Sequence, residues 1–433
     1  MTDAIAIPTD DPVARFLAVS AAHPDAIAVE SGDRPPTTYR AFAERVRRIA
    51  GAVLQARART EGEAPPRVLI AMRHSEDAYA AMFATLMAGG QYAPLNSEAP
   101  VARRSAIARS FGPNVVLFDD RLDLETEGAA TLSISAALGA EPLEAPRRVD
   151  AVSAVAYTMF TSGSTGAPKG VVVGRAGLAD FVAQATPILR LGPGVRCAQH
   201  CNIAFDVSIV GIFGALTTGA TLIPVTSVAD RLMPGKAIGE RKIDRWISVP
   251  SVVDLIAKAG HATPERLGGV THFYFCGEAL LPAHLDAIFA AAPDALVVNA
   301  YGPTEATVAV TEGLFTKADY RAACRTSAAI GPPLGGMRVD LVGGRTADEG
   351  EIVISGDQVA FGYWRDLARS AERFGTDAAT GKRSFHTGDW AERIDGHVYF
   401  VARIDRQVKR HGHRIELGEI DAALRDALNG AAA

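Results

Sequence analysis

The chain has 433 residues, 44 basic against 49 acidic for a net charge of −5, with 48% hydrophobic and 21% charged residues. That length exceeds one compact core, so two or more domains or subdomains are expected. The charge balance carries no footprint for nucleic acid or an anionic membrane, and no apolar run reaches membrane-spanning length. The start, MTDAIAIPTDDPVARF, holds acidic residues and no apolar signal core, and Cys197, Cys201, Cys276 and Cys324 show no CxxC or disulfide-like spacing. A cytoplasmic, reducing compartment is the expectation.

Residues 12 to 58 read largely as helix, with Thr37 and Thr38 as a cap before the periodic YRAFAERVRRIAGAVLQA. RVLIAMR (67–73) reads as a buried strand, SEDAYAAMFATLMAGG (75–90) as an amphipathic helix closed by Gly89 and Gly90, and NVVLF (114–118) as another strand. Strand signals recur at 220–225, 245–250, 270–275 and 295–300 with Ala-rich helical stretches between, the rhythm of α/β layers. After about residue 311 the segments shorten: RVDLVG (338–343), GEIVISG (350–356) and HVYFV (397–401), punctuated by Gly and Asp, predict a small β-rich subdomain. Beyond residue 403 the sequence turns basic and polar, and one helix-like run, IDAALRDALNG, follows.

The segment YTMFTSGSTGAPKGV (157–171) stands apart. Small hydroxylated residues and glycines bury little apolar area, so the run does not serve a core. Glycines let backbone N–H groups approach an anion, hydroxyls donate to phosphate oxygens, and Lys169 supplies a compact positive charge. Its context is strand, loop, strand. Pro168 precedes Lys169, which does not fit the Walker phosphate loop, whose last Gly directly precedes Lys. The alternative is a flexible surface loop.

Seven further segments accompany this loop: LMAGGQYAPLN (86–96), FDVSIVGIFGAL (205–216), NAYGPTEATV (299–308), GEIVISGDQVAFGYW (350–364), FHTGDWA (385–391), ARIDRQVK (402–409) and RHGHRIELGEID (410–421). Taken with it, in this order, they resemble the core motifs of the adenylation domains of nonribosomal peptide synthetases. Those domains belong to the adenylate-forming enzymes, with acyl-CoA synthetases and luciferases. The resemblance covers nearly the whole chain. It implies an α/β fold: two layered α/β sheets and a small β-barrel-like subdomain form the large N-terminal portion, residues 1–404. A hinge and the start of a small C-terminal portion then occupy residues 405–433.

The implied reaction is ATP-dependent activation of an amino acid to aminoacyl-AMP with Mg²⁺ and release of pyrophosphate. Thioester transfer to the phosphopantetheine arm of a carrier protein follows, as in peptide-antibiotic biosynthesis. By resemblance, Thr161, Ser162, Gly163, Thr165 and Lys169 would hold the leaving phosphates, and Thr304 would contact the α-phosphate. Glu305 would help hold Mg²⁺, a hard cation suited to carboxylate oxygen. Thr304, Glu305 and Lys169 are thus the catalytic candidates. Tyr301 would stack on adenine, with Phe400 flanking it or serving as a core aromatic. Asp389 would accept from the ribose hydroxyls, and Arg403 would reach ribose or phosphate. Ala402 stands before Arg403 where the family has Gly. A plain turn at YGPTE and an Asx turn at Asp389 are the bland alternatives. Asp405 matches the hinge, and Gly412 with the basic run would begin the mobile part.

Asp206 would pair with the α-ammonium of an amino acid, which gives a reason for a buried carboxylate; the alternative is a helix cap before VSIVGIF. The side-chain-facing positions would be Val207, Val210, Val252, Tyr274, Cys276 with Gly277, Ala300, Val308 and Ala309. None is charged, so a medium or large apolar or aromatic amino acid is expected, with Tyr274 and Cys276 able to serve one polar group. The family's C-terminal Lys has no match before Ala433, so a chain holding mainly the large portion is expected to bind its ligands and adenylate weakly. LARSAERF (367–374), with Ala371, resembles the docking surface for MbtH-like proteins. The alternatives are an acyl- or aryl-CoA synthetase and a catalytically silent nucleotide- or amino-acid-binding module.

Overall fold

The computed structural model describes residues 11–32, 34–60, 64–150, 153–162, 168–405, 407–410, 413–417, 420 and 424. The chain folds into two compact units: Met1–Met159 with Val172–Ile247, and Phe160–Val171 with Ser248–Ala433.

The first unit is layered α/β. One set of neighbouring strands runs Lys169–Gly174 (its residues up to Val171 counted with the second unit), Val155–Thr161 (likewise from Phe160), Gln91–Pro94, Arg67–Ala71, Val115–Phe118, Ala130–Ser133. The pairings Tyr92↔Tyr157, Val68↔Tyr92, Val68↔Val115 and Val115↔Ala130 are all parallel. A second set runs Arg245–Ser248, Arg196–Gln199, Thr221–Pro224, Ile27–Val29, Thr37–Thr38. The central strands are buried on both faces, as parallel strands covered by helices must be.

Helix Tyr39–Ala58 begins where Thr38 Oγ1 accepts from the Ala41 amide at 3.3 Å, so the expected cap is present. Helix Glu76–Met87 is capped by Ser75, and a Cβ on Gly90 would lie 2.5 Å from the Pro66 carbonyl oxygen, so only glycine lets the chain return to the sheet there. Phe16, Phe42, Phe83 and Phe213 fill the interior, with ring centroids 4.6 to 5.7 Å apart along the series. Each such ring contributes roughly 1.5–3 kcal/mol by leaving water. Asp11 caps helix Pro12–Ala22 and pairs with buried Arg175. Residues 12 to 58 are largely helical, in Pro12–Ala22 and Tyr39–Ala58, but the stretch between holds a strand that was not expected, Ile27–Val29, whose Val29 pairs with Leu222. A three-residue run carries too little local pattern to reveal a partner so distant in sequence.

The second unit joins two pieces. Strands His272–Cys276, Leu296–Tyr301 and Thr311–Phe315 lie side by side, the first pair parallel and the second antiparallel. An antiparallel set follows, Arg338–Gly343, Glu349–Ser355, Arg383–Ile394 and Phe374–Thr376, with His397–Arg403 also paired to Arg383–Ile394. This is the β-rich part expected after residue 311. Its core gathers Ile330, Met337, Ile352, Ile354 and Phe385 around Tyr301. Among the described residues, no helix is long and apolar enough to cross a membrane.

Candidate active site

Three strands of the second unit converge on one polar centre. Leu296–Tyr301 ends in Tyr301, Arg383–Ile394 carries Asp389, and His397–Arg403 carries Phe400 and Arg403. The register pairs Asp389 with Arg403 and Ala391 with Phe400. Tyr301 donates its hydroxyl to Asp389 Oδ2 at 2.6 Å, and Arg403 Nη1 donates to Asp389 Oδ1 at 2.7 Å. Asp389 is only 1% exposed, so these donors supply what water would otherwise give. Burial, then the adjoining carboxylate, pushes the Tyr301 phenol well above its ordinary pKa, so it stays a donor. Burial works against the Arg403 cation, but hydrogen bonds and charge from Asp405 and Asp389 outweigh it and raise its pKa. Arg403 also donates to the Thr387 carbonyl at 2.9 Å. The hinge candidate Asp405 is therefore tied back to Arg403 and accepts from the Gln407 amide at 3.1 Å. Gly388 sits at φ +73° with the Arg403 guanidinium 3.1 Å from where a Cβ would stand. The Asx-turn alternative does not describe Asp389, whose side chain closes a tertiary network.

Beside this centre lies a small open cleft of about 50 Å³, lined by Gly277, Ala279, Tyr301, Gly302, Ile330 and Phe400. Phe400 is half-buried, lining the cleft while packing on the core cluster, so its two readings describe one ring.

The second part of the site is the NAYGPTEATV segment. Thr304–Ala306 forms a short 3-10 turn, and Glu305 is fully buried, which a plain surface turn does not explain. Tyr363 donates its hydroxyl to Glu305 Oε1 at 2.9 Å, and Lys169 Nζ lies 5.9 Å from the Tyr363 ring centroid. The Trp364 amide donates to the Gly170 carbonyl at 2.7 Å, holding the strand of Lys169 beside Gly362–Tyr363. Thr307 and Val308 adopt φ +58° and +71°, a conformation costing β-branched residues roughly 1–3 kcal/mol each. It is held by Thr307 Oγ1 donating to the Gln358 carbonyl at 2.6 Å and by Val310 N donating to the Tyr301 carbonyl at 2.8 Å. Gly302 is obligatory, since a Cβ there would stand 2.6 Å from Ala309 Cα.

Thr161 closes strand Val155–Thr161, and its buried hydroxyl oxygen has no hydrogen-bond partner among the described residues. Ser162 beside it is 6% exposed; Gly163, Thr165 and Gly412 lie outside the described residues. An orphaned hydroxyl, an ammonium and a buried carboxylate in one unit fit a polyphosphate with Mg²⁺, whose ligands are oxygens.

In the first unit, helix Ser208–Leu216 starts with Val207 at its cap position and no side chain capping it. Asp206 is half-buried and does not play the helix-cap role. Burial, with the Asp206 charge adding to it, pushes the Cys201 thiol up to about 12. Val207 and Val210 are buried, Val210 in a crevice shared with Phe181 and Val182.

The other side-chain-facing candidates belong to the second unit. Val252, Val308 and Ala309 are buried, and Gly277 turns at φ +97°. Tyr274 and Cys276 are also buried, but their polar groups are engaged. Tyr274 donates its hydroxyl to Glu312 Oε1 at 2.9 Å, and the Cys276 thiol points to the Val308 carbonyl at 3.7 Å. Glu312 pairs with Ala300 across the strands and is 3% exposed. Burial pushes its carboxyl up to about 8, against the hydrogen bond from Tyr274. Glu312 joins this group of positions, although it was not among the residues singled out from the sequence.

The chain matches the family described as AMP-binding enzyme over residues 16–364. It is 30% identical over 424 residues to a D-alanine--D-alanyl carrier protein ligase of Staphylococcus aureus (strain bovine RF122 / ET3-1), covering 96% of this chain and 83% of that protein. NpsA-ThdA, an artificially fused adenylation-PCP di-domain from Klebsiella oxytoca, superposes with TM-score 0.84 at 25% identity, covering 96% of this chain and 83% of that one. The AMPPNP-bound form of the nonribosomal peptide synthetase FmoA3 superposes with TM-score 0.82 at 27% identity, covering 93% of this chain but only 44% of that one.

Proposed function

We propose that this chain, which belongs to the AMP-binding enzyme family and is an amino-acid-adenylating ligase using ATP and Mg²⁺, passes its activated amino acid to the phosphopantetheine thiol of a carrier protein in nonribosomal peptide assembly. The observation that carries the adenylation chemistry is the presence, in one unit, of the Tyr301–Asp389–Arg403 centre and of the group formed by Lys169, Tyr363 and Glu305. Carrier transfer is supported by the similarity to the Staphylococcus relative, a carrier protein ligase, and to the adenylation-PCP fusion.

Bound ATP supplies an electrophilic α-phosphorus and a pyrophosphate leaving group, and Mg²⁺ supplies positive charge for the oxygens that become more negative. The chain's part is positioning and charge neutralisation. Thr161, Ser162 and Lys169 hold the leaving phosphates, and Thr304 fixes the α-phosphate oxygens. Glu305 would contribute an oxygen ligand to Mg²⁺, its carboxylate kept in place by the Tyr363 hydroxyl. Asp389 faces the ribose with its orientation set by Tyr301 and Arg403, and Tyr301 and Phe400 bracket the base. Asp206 pairs with the substrate ammonium. A neutral substrate side chain suits positions that are buried and apolar apart from Tyr274, Cys276 and a Glu312 carboxyl that burial keeps protonated at neutral pH. For an MbtH-like partner we assign helix Leu367–Arg373, which contains Ala371, has no buried residue and leaves Leu367 86% exposed.

Calorimetry with aminoacyl and fatty-acyl sulfamoyl-adenosines tests the main assignment. Tight binding of an aminoacyl form, weakened at least tenfold in Asp206→Ala, is expected. Preference for acyl forms, unaffected by that substitution, would instead indicate an acyl-CoA synthetase.

A further inference from the structure

Strands His272–Cys276, Leu296–Tyr301 and Thr311–Phe315 pair Cys276 with Ala300 and Ala300 with Glu312. Directly paired residues point to the same face of a sheet, and residues two apart along a strand share a face. Tyr274, Cys276, Ala300 and Glu312 therefore form one patch. Three of the four are positions assigned above to the substrate side chain.

The polar groups of this patch are unevenly satisfied. Tyr274 gives its hydroxyl to Glu312 Oε1 at 2.9 Å, and the Cys276 thiol faces the Val308 carbonyl. Glu312 Oε2 is buried and has no hydrogen-bond partner among the described residues. A buried carboxyl oxygen without a partner is costly, and a native fold keeps one where a ligand or water completes it. Ala300, directly opposite, carries only a methyl group and offers that oxygen no hydrogen bond from its side chain.

We propose that Glu312 is a specificity-determining residue, its unpartnered oxygen hydrogen-bonding the hydroxyl or carboxamide at the tip of a neutral polar amino-acid side chain. This rests on the assignment of the chain as an amino-acid-activating ligase. Among the described residues, the titratable groups that share this patch with Glu312 are the Tyr274 phenol and the Cys276 thiol. Burial raises the Glu312 carboxyl to about 8, so near neutral pH its oxygens offer one proton and one acceptor, which a hydroxyl or amide matches. The substrate preference moves accordingly, from apolar or aromatic to neutral and hydrogen-bonding. Selection is strong in such a site because an apolar isostere leaves the carboxyl unpaired.

The test is calorimetric titration of the full chain with paired sulfamoyl-adenosines: threonyl against valyl, asparaginyl and glutaminyl against leucyl, lysyl as the cationic member, and myristoyl as the acyl control. One polar neutral analogue is expected to bind at least about tenfold tighter than its apolar isostere. Glu312→Gln, which mimics the protonated carboxyl, keeps that ratio within about threefold, and Glu312→Leu abolishes it. Equal or tighter binding of the apolar isosteres overturns the proposal, as does a ratio that survives in Glu312→Leu. Tightest binding of the lysyl analogue, lost in Glu312→Gln, overturns it in favour of an ionised Glu312. Because the paired analogues are compared on the unsubstituted chain first, the outcome does not depend on the variants folding. A preference for the myristoyl analogue over every aminoacyl one would refute the amino-acid assignment itself, a separate outcome.

Discussion

Asp389, Arg403 and Asp405 form a chain of charges in which depth decides the contribution of each. The Asp389 side chain is 2% exposed and that of Asp405 31%. Removing Asp389 strands a mostly buried guanidinium and an unpaired phenol, so Asp389→Ala is expected to cost about 3–5 kcal/mol. Asp405→Ala leaves the pair intact and is expected to cost about 1 kcal/mol or less. Urea denaturation of both variants checks the ranking, and equal losses would contradict it. Glu312 gives a pH signature. Its carboxyl titrates near 4.5 when unfolded and at about 8 when folded. Between those values the unfolded chain releases a proton that the native chain keeps, so stability falls as pH rises through that window. Glu312→Gln cannot ionise, so its stability relative to the parent should increase from pH 5 to pH 9, by a few kcal/mol at most. A difference independent of pH would mean that Glu312 is ionised in the fold. Neither effect was legible in the residue's own surroundings, where TEG looks like strand-end punctuation. Burial of Glu312 is fixed by its pairing with Ala300, a tertiary fact.

At the scale of elements, local chemistry spoke clearly wherever it controlled the outcome. The Thr38 cap, the Ser75 cap and the strands on either side of the Ser/Thr/Gly loop follow from side chains within a few residues. The turn after Tyr301 is different. Gly-Pro announces a turn, but nothing in Thr307 or Val308 announces left-handed backbone, which β-branched residues avoid. That geometry is imposed by Gln358 and by the return of Val310 to Tyr301. Gly302→Ala should therefore act beyond its own site. The added methyl meets the Ala309 backbone, which cannot swing away as a side chain can. We expect a stability loss of about 1–3 kcal/mol and weaker nucleotide binding through displacement of Thr304 and Glu305. Loss of stability with unchanged nucleotide affinity would separate the turn from the site.

For the whole molecule, the motif order carried more than periodicity could. Eight segments spread over most of the chain pointed to one family, and the match over residues 16–364 agrees. Periodicity alone distinguished α/β from β-rich regions but missed Ile27–Val29, whose partner lies far along the chain. A ligand that engages the folded state alone must raise the melting temperature by mass action. At about one hundred times its Kd, a sulfamoyl-adenosine analogue should add about 2.7 kcal/mol. Scanning calorimetry should register an upward shift of a few degrees, and Asp389→Ala should blunt it.

The partition of the chain has a topological consequence. Phe160–Val171, which carries Thr161 and Lys169, belongs to the second unit although both flanking stretches belong to the first. The backbone thus passes from one unit to the other three times: after Met159, after Val171 and after Ile247. No single cut yields two self-sufficient fragments, and during synthesis the Lys169 segment emerges well before Gly362–Tyr363, the strand of its own unit that lies beside it. Completing the second unit therefore requires a long loop closure back to an early segment. The folding rate should be limited by this non-local step rather than by helix formation in the first unit.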